Sequence, residues 1–160
     1  MSNNPSFIAD AMLGGLARWL RIMGFDTLYF RVIEDGELIR IGKQQGRILL
    51  SRDHALCRSK RTGAHILVRS NETMQQLREV LSECGITDDQ IQVSKRCPRC
   101  NGALSSVHRN LVFSGAPEHI MQNADAFLKC GECGKVYWEG SHKRMMDATL
   151  EAIIKRPENA

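Results

Sequence analysis

Apolar residues between positions 5 and 90 follow two alternating patterns. Short apolar runs bounded by polar or glycine residues predict strands at 6–9, 27–31, 47–51 and 65–69. Three of these runs precede a segment in which apolar residues recur at spacings of three and four, the period of an amphipathic helix, and the third run precedes a short polar segment. Strand–helix alternation of this kind predicts an α/β fold, with a parallel sheet and helices on both of its faces.

The predicted helices have recognisable start and stop signals. The first stops at Gly24, the second runs from Glu34 to Gly46, and a short polar helix covers 54–61. The fourth covers 73–84, with Gly85 as its C-cap. The apolar positions expected to face the sheet are Leu13, Leu16, Ala17, Leu20 and Met23, then Leu38, Ile41 and Gly42, and finally Met74, Leu77, Val80 and Leu81.

The pattern changes after Cys97. Short strands are expected at Val107–Leu111 and Val136–Trp138, and a last helix begins at Gly140 and stops at Pro157. That helix carries a stripe of Met146, Leu150, Ile153 and Ile154. We therefore predict an α/β domain over residues 1–94, a metal ribbon over 95–140, and a C-terminal helix and tail over 141–160.

Four cysteines form two C-x-x-C pairs, and the second pair follows the first after about thirty residues. Two such turns can complete one tetrahedral site, and Zn²⁺ is its usual ion. The predicted ligands are Cys97, Cys100, Cys130 and Cys133. Spacing alone also allows iron, or thiols without a metal. A closed site of four thiolates is structural, so the chemistry of the protein is expected elsewhere.

The composition limits the remaining choices. The chain has 160 residues, 42% of them hydrophobic, which is enough for a real core. The cysteines do not resemble a disulfide framework, so a reducing, cytoplasmic setting is expected. The first residues lack the pattern of a signal peptide, and no apolar run approaches a membrane span. A formal net charge of +4 is compatible with a polyanionic partner but only weakly favours one.

Acidic residues follow three of the predicted strands. Asp10 follows the first, Asp35 and Glu37 follow the second, and Asp53 follows the third, while Asn71 follows the fourth. The carboxyl ends of parallel strands share one edge of a sheet. Carboxylates gathered there repel unless they hold a hard cation, so Mg²⁺ or Mn²⁺ is indicated, together with phosphoryl transfer or phosphodiester hydrolysis. Taken singly, each aspartate is more typical of a helix cap.

Basic residues accompany the acids, as the anchoring of a phosphate backbone requires. They are Arg18, Arg21, Arg52, Arg58, Lys60 and Arg61. Arg18 and Arg52 each flank a candidate acid, which favours a functional role. The cluster from Arg58 to Arg61 fits a solvated helix face equally well. Tyr137 and Trp138 could stack on a base, although such aromatic residues more often pack over the core of a ribbon.

Four segments together resemble the Mut7-C RNase domain family. They are the segments from Phe7 to Arg21, from Arg47 to Asp53, from Arg96 to Gly102 and from Tyr137 to His142. The resemblance covers nearly the whole chain. It implies a PIN-like nuclease fold followed by a zinc ribbon, and a metal-dependent ribonuclease acting on RNA.

Position by position, the resemblance assigns Asp10 and Asp53 to the family's acidic residues and Arg18 and Arg52 to its basic ones. Asp35 and Glu37 match the acidic segment before the second helix. Two positions depart from the pattern. Arg31-Val32-Ile33 stands where a further acid is expected, and Asn71 stands where an aspartate is common. Asparagine can coordinate a hard cation without contributing charge, so both departures would weaken metal affinity.

We predict a divalent-metal-dependent endoribonuclease. Asp10 and Asp53, helped by Asp35 or Glu37, would hold the ion that activates water. Arg18 and Arg52 would fix the RNA backbone, and the zinc ribbon would assist in binding it. Further candidates for substrate binding are Arg21, Arg58, Lys60, Arg61 and Asn71.

Three other readings remain open. A receiver domain shares acids after strands one and three, but it needs a lysine after a fifth strand, and no such strand is evident. An RNA- or ribosome-binding adaptor would use the ribbon and keep the α/β part as a degenerate scaffold. A rubredoxin-like electron carrier would hold iron, and its absorption spectrum would reveal it.

Overall fold

A computed structural model describes residues 4–112, 116–124, 126–138 and 140–154. Its main sheet has four parallel strands, β1 (Phe7–Ala9), β2 (Thr27–Tyr29), β3 (Ile48–Ser51) and β4 (His65–Leu67). The strand order is β2-β1-β3-β4. The predicted parallel sheet is therefore confirmed, although each strand is shorter than its apolar run.

The register of the sheet places the ends of β1 and β3 side by side. Ala9, the last residue of β1, pairs with Tyr29 of β2 on one side and with Leu50 of β3 on the other. Ser51, which ends β3, pairs with Leu67 of β4. The residues that follow all four strands therefore meet along one edge, which we call the carboxyl edge.

Helices cover both faces of this sheet, as the alternation predicted. They are α1 (Gly14–Ile22), preceded by a 3-10 turn (Ala11–Leu13), α2 (Asp35–Gln44), α3 (His54–Arg58) and α4 (Thr73–Glu83). A further 3-10 turn spans Asp88–Gln90. The third helix is shorter than expected because the chain leaves it at Ser59, where the Thr62 hydroxyl bonds to the Leu56 carbonyl across 2.6 Å.

The core has one layer on each face of the sheet. On one face, α1 buries Leu16, Ala17 and Leu20, and the Phe7 ring meets the Phe25 ring edge to face at 5.9 Å. The other face holds a cluster of Ile8, Leu38, Ile39, Leu49 and Leu56. Ile41, expected to point inward, is only partly buried against this cluster.

The chain divides into two compact units, Met1–Asn101 and Gly102–Ala160. The finer bounds expected from the sequence, with a ribbon over 95–140 and a tail over 141–160, stay a prediction. Among the helices that the structure describes, none has the length and apolar character needed to cross a bilayer.

The second unit contains an antiparallel sheet of β5 (Leu104–Val107), β6 (Phe127–Cys130) and β7 (Val136–Trp138). The strand predicted at Val107–Leu111 is wrong in its bounds. The His108 ring accepts a hydrogen bond from the Asn110 amide and so starts a 3-10 turn (Arg109–Leu111) instead. Strand β6 and helix α5 (Glu118–Asn123) were not expected from the sequence.

A small core holds the second unit together. Its buried members are Val112, Ala124, Phe127 and Val136. Trp138 packs against this cluster, which is the packing role expected for such an aromatic residue. Helix α6 (Ser141–Ile154) forms where predicted and buries Leu150 and Ile153. The burial of Ile154 and the expected stop at Pro157 lie outside the described residues.

Candidate functional site

The Ser51 hydroxyl links the carboxylate of Asp10 to the backbone of Asp53 at the carboxyl edge. Asp10 follows β1 directly, and its Oδ2 accepts a hydrogen bond of 2.8 Å from Ser51 Oγ. The same Oγ accepts a 3.0 Å hydrogen bond from the backbone amide of Asp53. Ser51 is completely buried, so its hydroxyl is shielded from solvent water. Sequence reasoning missed this residue because a serine at the end of an apolar run carries no distinctive signal.

Asp10 and Asp53 differ in their relation to the following helix. Asp53 caps α3, because its Oδ1 accepts from the amides of Ala55 at 2.7 Å and Leu56 at 3.1 Å. Within the described part of the chain, no donor reaches its Oδ2. The Asp10 side chain caps nothing, although a 3-10 turn follows it. The carboxylate of Asp10 is thus available for a role other than capping.

Arg52 and Asn71 also meet at this edge. Nη2 of Arg52 donates a hydrogen bond to Oδ1 of Asn71, which follows β4. Nε of Arg52 is buried, and it has no hydrogen-bond partner among the described residues. The carbonyl oxygen that Asn71 would offer a cation is therefore engaged by Arg52.

Asp35 and Glu37 lie in the first turn of α2 and are exposed to solvent. Glu37 forms an ion pair with Arg40, one turn along the helix. The hydrogen bond from Arg40 lowers the pKa of Glu37. Within the described ranges, no hydrogen bond or ion pair joins Asp35 or Glu37 to Asp10 or Asp53. The structure thus brings together two of the four predicted acids.

Cys57 lies in α3 close to both of these acids. Burial raises the pKa of its thiol, and the negative charges of Asp53 and Asp10 raise it further. The thiol is therefore protonated near neutral pH and adds no charge to the edge. The sequence placed Cys57 in a predicted helix, but nothing in its spacing indicates that it lies near Asp10 and Asp53.

Most of the predicted basic residues are exposed. Arg18 lies on the outer side of α1, while Arg58, Lys60 and Arg61 lie at the end of α3 and in the loop after it. Arg61 reaches the start of α2, because its Nη2 is 3.9 Å from the position that a Cβ on Gly36 would occupy. These guanidinium and ammonium groups can meet an anion in solution.

Arg21 has a different place. It is only 6% exposed, and burial lowers its pKa. Its Nε donates to the Thr27 carbonyl at 2.9 Å, and its Nη1 donates to the carbonyls of Pro98 at 3.2 Å and Arg99 at 3.1 Å. The side chain therefore holds the first C-x-x-C turn against α1 and β2, and we do not include it among the proposed RNA-binding residues.

The four predicted metal ligands form a cluster. The sulfur atoms of Cys97, Cys100, Cys130 and Cys133 all lie within 4.8 Å of one another. A tetrahedral zinc site with Zn–S bonds of about 2.3 Å has sulfurs about 3.8 Å apart, so the cluster fits that ion with little adjustment. Among the described residues, no other group of three or more candidate ligands lies close enough to share an ion.

The backbone after each C-x-x-C pair adopts the left-handed conformation. Asn101, with a φ of 71°, follows the first pair, and Gly134, with a φ of 72°, follows the second. Gly102 serves the site differently, because a Cβ there would lie 2.8 Å from Cys130 Sγ. The Cys133 amide also donates to Cys130 Sγ at 3.5 Å, as expected for a turn that folds around a thiolate.

Asn101 ties the first turn to the amino ends of the parallel strands. Its Oδ1 accepts from the Thr27 amide at 2.9 Å, and its Nδ2 donates to Asp26 Oδ1 at 2.7 Å. Asp26 also pairs with Arg47 at 2.8 Å. Burial opposes the charge on Asp26, but the hydrogen bonds from Arg47 and Asn101 prevail and lower its pKa. We call Asp26, Arg47 and Asn101 the anchor network.

Comparisons with known proteins identify one family. The model of one family, described as the Mut7-C RNAse domain, matches residues 5–150. No curated protein and no solved structure matches the chain.

Proposed function

The chain belongs to the Mut7-C RNase domain family, and we propose that it is a divalent-metal-dependent endoribonuclease that hydrolyses phosphodiester bonds at the carboxyl edge. Family membership points to RNA as substrate or partner. The observation that carries the proposal is the hydroxyl of Ser51, which joins the segments of Asp10 and Asp53. A buried hydroxyl that fixes the Asp10 carboxylate beside the Asp53 backbone is a contact of the kind that a preorganised site needs.

We assign the catalytic cation to Asp10 and Asp53. Mg²⁺ is commonly held in proteins by one or two carboxylates, with water and substrate phosphate completing its shell, and two carboxylates at adjacent strand ends fit that requirement. Such an ion, when bound, supplies a water of lowered pKa and neutralises charge on the phosphate. Asp35 and Glu37 remain weaker candidates, because Glu37 is already paired with Arg40.

The side chains of this site would prepare it before RNA binds. Ser51 fixes one oxygen of Asp10, and the α3 amides fix one oxygen of Asp53, so each carboxylate keeps a second oxygen for the ion. Arg52 and Arg18 would hold phosphates of the RNA backbone. Arg58, Lys60 and Arg61 would add contacts to the backbone, which strengthen binding without reading sequence.

We propose that the cysteine cluster holds a structural Zn²⁺, and that the ribbon assists RNA binding. The fit of the four sulfurs supports zinc, although iron takes the same ligand set. Elemental analysis together with the visible absorption spectrum separates the two metals. A cytoplasmic setting, favoured by the use of cysteines as metal ligands, belongs to the same proposal.

A degenerate RNA-binding adaptor is the second candidate. It is favoured by Asn71, whose carbonyl is engaged by Arg52, and by the lack of a third carboxylate beside Asp10 and Asp53 among the described residues. The adaptor would bind RNA through the same basic residues without cleaving it.

Cleavage of a labelled RNA panel with Mn²⁺ or Mg²⁺ tests the proposal. Wild type is compared with Asp10→Asn and with Asp88→Asn, which makes the same charge change at an exposed turn. We expect cleavage by wild type and by Asp88→Asn, and none by Asp10→Asn. Equal cleavage by all three would overturn the site assignment. Binding without cleavage by wild type would favour the adaptor.

A further inference from the structure

Three large apolar side chains are exposed beside the carboxyl edge. Met12 follows β1 and is 72% exposed, while Phe30 and Val32 follow β2 and are 37% and 91% exposed. We call these three residues the apolar rim. Exposed apolar groups that gather at a functional edge commonly mark a binding surface.

A hydrogen bond holds the two parts of the rim together. The Tyr29 hydroxyl donates to the Ala11 carbonyl at 3.0 Å, which joins the residue before Phe30 to the residue before Met12. A Cβ on Gly14 would lie only 2.9 Å from the same hydroxyl, so a side chain there would require the Tyr29 ring to shift. The rim therefore stands on a closely packed support.

The exposed residues of the rim do not belong to the hydrophobic core beneath them. The next residue, Ile33, packs against the cluster that contains Ile8 and Leu38, so the chain after β2 does send one apolar side chain inward. Val32 points away from that cluster and is almost fully exposed. Packing within the first unit thus accounts for the position of Ile33 but not for the exposure of the rim residues.

We propose that the apolar rim stacks an unpaired base of single-stranded RNA, adjacent to the phosphate that Asp10 faces. The inference rests on the proposed function. Phe30 offers a ring face, and Met12 and Val32 would close the sides of the base. β2 is the neighbour of β1 in the sheet, and strands lie about 4.8 Å apart, so the rim is within reach of an adjacent nucleotide.

The charges near the rim favour a nucleic acid. Arg31, between Phe30 and Val32, is exposed, and Arg61 reaches the start of α2 just beyond the rim. An apolar surface flanked by exposed guanidinium groups complements a base attached to phosphates. A stable protein interface buries about 800 Å² on each partner, far more than three side chains provide. A duplex conceals its base faces, so the occupant must be single-stranded.

An abasic oligonucleotide provides the test, because it keeps the phosphates and lacks the bases. Binding of a single strand and of an abasic strand of equal length is measured by fluorescence anisotropy. The protein used is the zinc-loaded Asp10→Asn variant of the 160-residue chain, so that RNA is not cleaved. We expect this parent to prefer the base-bearing strand by about tenfold, as one stacked base would give.

Substitutions in the rim should remove that preference alone. In the same background, Phe30→Ser with Val32→Ser is expected to bind both strands as weakly as the parent binds the abasic one. The matched control is Val93→Ser, which changes a 36% exposed apolar residue outside both the rim and the ribbon and should keep the preference. Phe30→Trp should also keep it, and its added fluorescence should be quenched by the base-bearing strand only.

Three results would overturn the inference. They are equal binding of both strands by the parent, an unchanged preference in the double variant, and tighter binding of a duplex than of the single strand. The cleavage assay judges the catalytic proposal separately. If the protein cleaves RNA but binds the base-bearing and abasic strands equally, only the proposed base stacking is wrong. If the apolar rim gives a preference for the base-bearing strand but the protein never cleaves RNA, only the proposed nuclease activity is wrong.

Discussion

The Ser51 hydroxyl donates a 2.8 Å hydrogen bond to Asp10, 41 residues earlier in the chain. Because Ser51 Oγ also accepts from the Asp53 amide, Ser51→Ala would remove two hydrogen bonds at a completely buried position. We expect a loss of about 1–3 kcal/mol in the free energy of unfolding. Cleavage should fall by about tenfold to a hundredfold, because Asp10 loses its fixed position.

Ser51→Thr separates these two effects. It keeps the hydroxyl but adds a methyl group in a packed interior, so it should lower stability while restoring most of the cleavage. Denaturant unfolding and cleavage rates, measured on both variants, check this. If both variants lose activity in proportion to stability, Ser51 has no positioning role.

Asp53 combines a helix cap with a proposed ligand, and two substitutions distinguish these roles. Asp53→Asn keeps a good N-cap and removes the charge, so the free energy of unfolding should change by less than about 0.5 kcal/mol while cleavage is lost. Asp53→Ala should lose cleavage and about 1 kcal/mol of stability as well. Substantial unfolding of Asp53→Asn, measured by circular dichroism, would show that its charge serves the fold.

Arg18 and Arg21 lie on the same helix and should respond in opposite ways. Arg21→Ala leaves three carbonyls without their charged donor, so we expect a loss of about 2–3 kcal/mol in stability. Arg18→Ala should leave the melting curve unchanged. It should weaken RNA binding and reduce the slope of log K against log salt by about one. A melting curve of Arg21→Ala that matches wild type would contradict the anchoring role.

The pH dependence of stability should report on Asp26. Its pKa is lower in the folded state than the ordinary value of 3.8, so the unfolded chain takes up the proton first as pH falls. The stability that Asp26 contributes is therefore complete above about pH 4, and it is lost as the pH falls through the folded-state pKa. Asp26→Asn should be less stable than wild type at pH 7, and the difference should shrink towards pH 3. Urea unfolding across this range measures it, and a difference independent of pH would refute the assignment.

Zinc content should follow the cysteine cluster and no other thiol. Cys130→Ser should lower the metal content below one zinc per chain and lower the melting temperature by more than about 5 °C. Cys84→Ser, at a half-buried thiol outside the cluster, is the control and should keep its zinc. Equal zinc content in both variants would mean that the metal binds elsewhere.

The sequence allowed much of the first unit to be predicted, because its apolar runs are bounded by strong stop signals. Leu49-Leu50 and the stripe of Leu16 and Leu20 indicated their elements directly. The order of the strands was not readable, since nothing local states that β1 lies between β2 and β3. The bond between Ser51 and Asp10 depends on that order, which is why the acids were predicted and the residue joining them was not.

Arg21 shows the same limit for a charged residue. It was predicted to help anchor a phosphate backbone, because no local signal separates it from the other basic residues. Its burial depends on the carbonyls of Pro98 and Arg99, 77 and 78 residues later in the chain. The C-x-x-C spacing, by contrast, is enough to predict a shared metal site, and the four sulfurs lie together as expected.

The anchor network and the acids lie at opposite ends of the same strands. Thr27 begins β2 and Arg47 precedes β3, whereas Asp10 and Ser51 lie at the other end, about 10 Å away for strands of three residues. A chelator selective for zinc should therefore act on this protein as a denaturant and not as a competitive inhibitor. Inactivation would develop over time at the rate of unfolding, and added manganese would not reverse it.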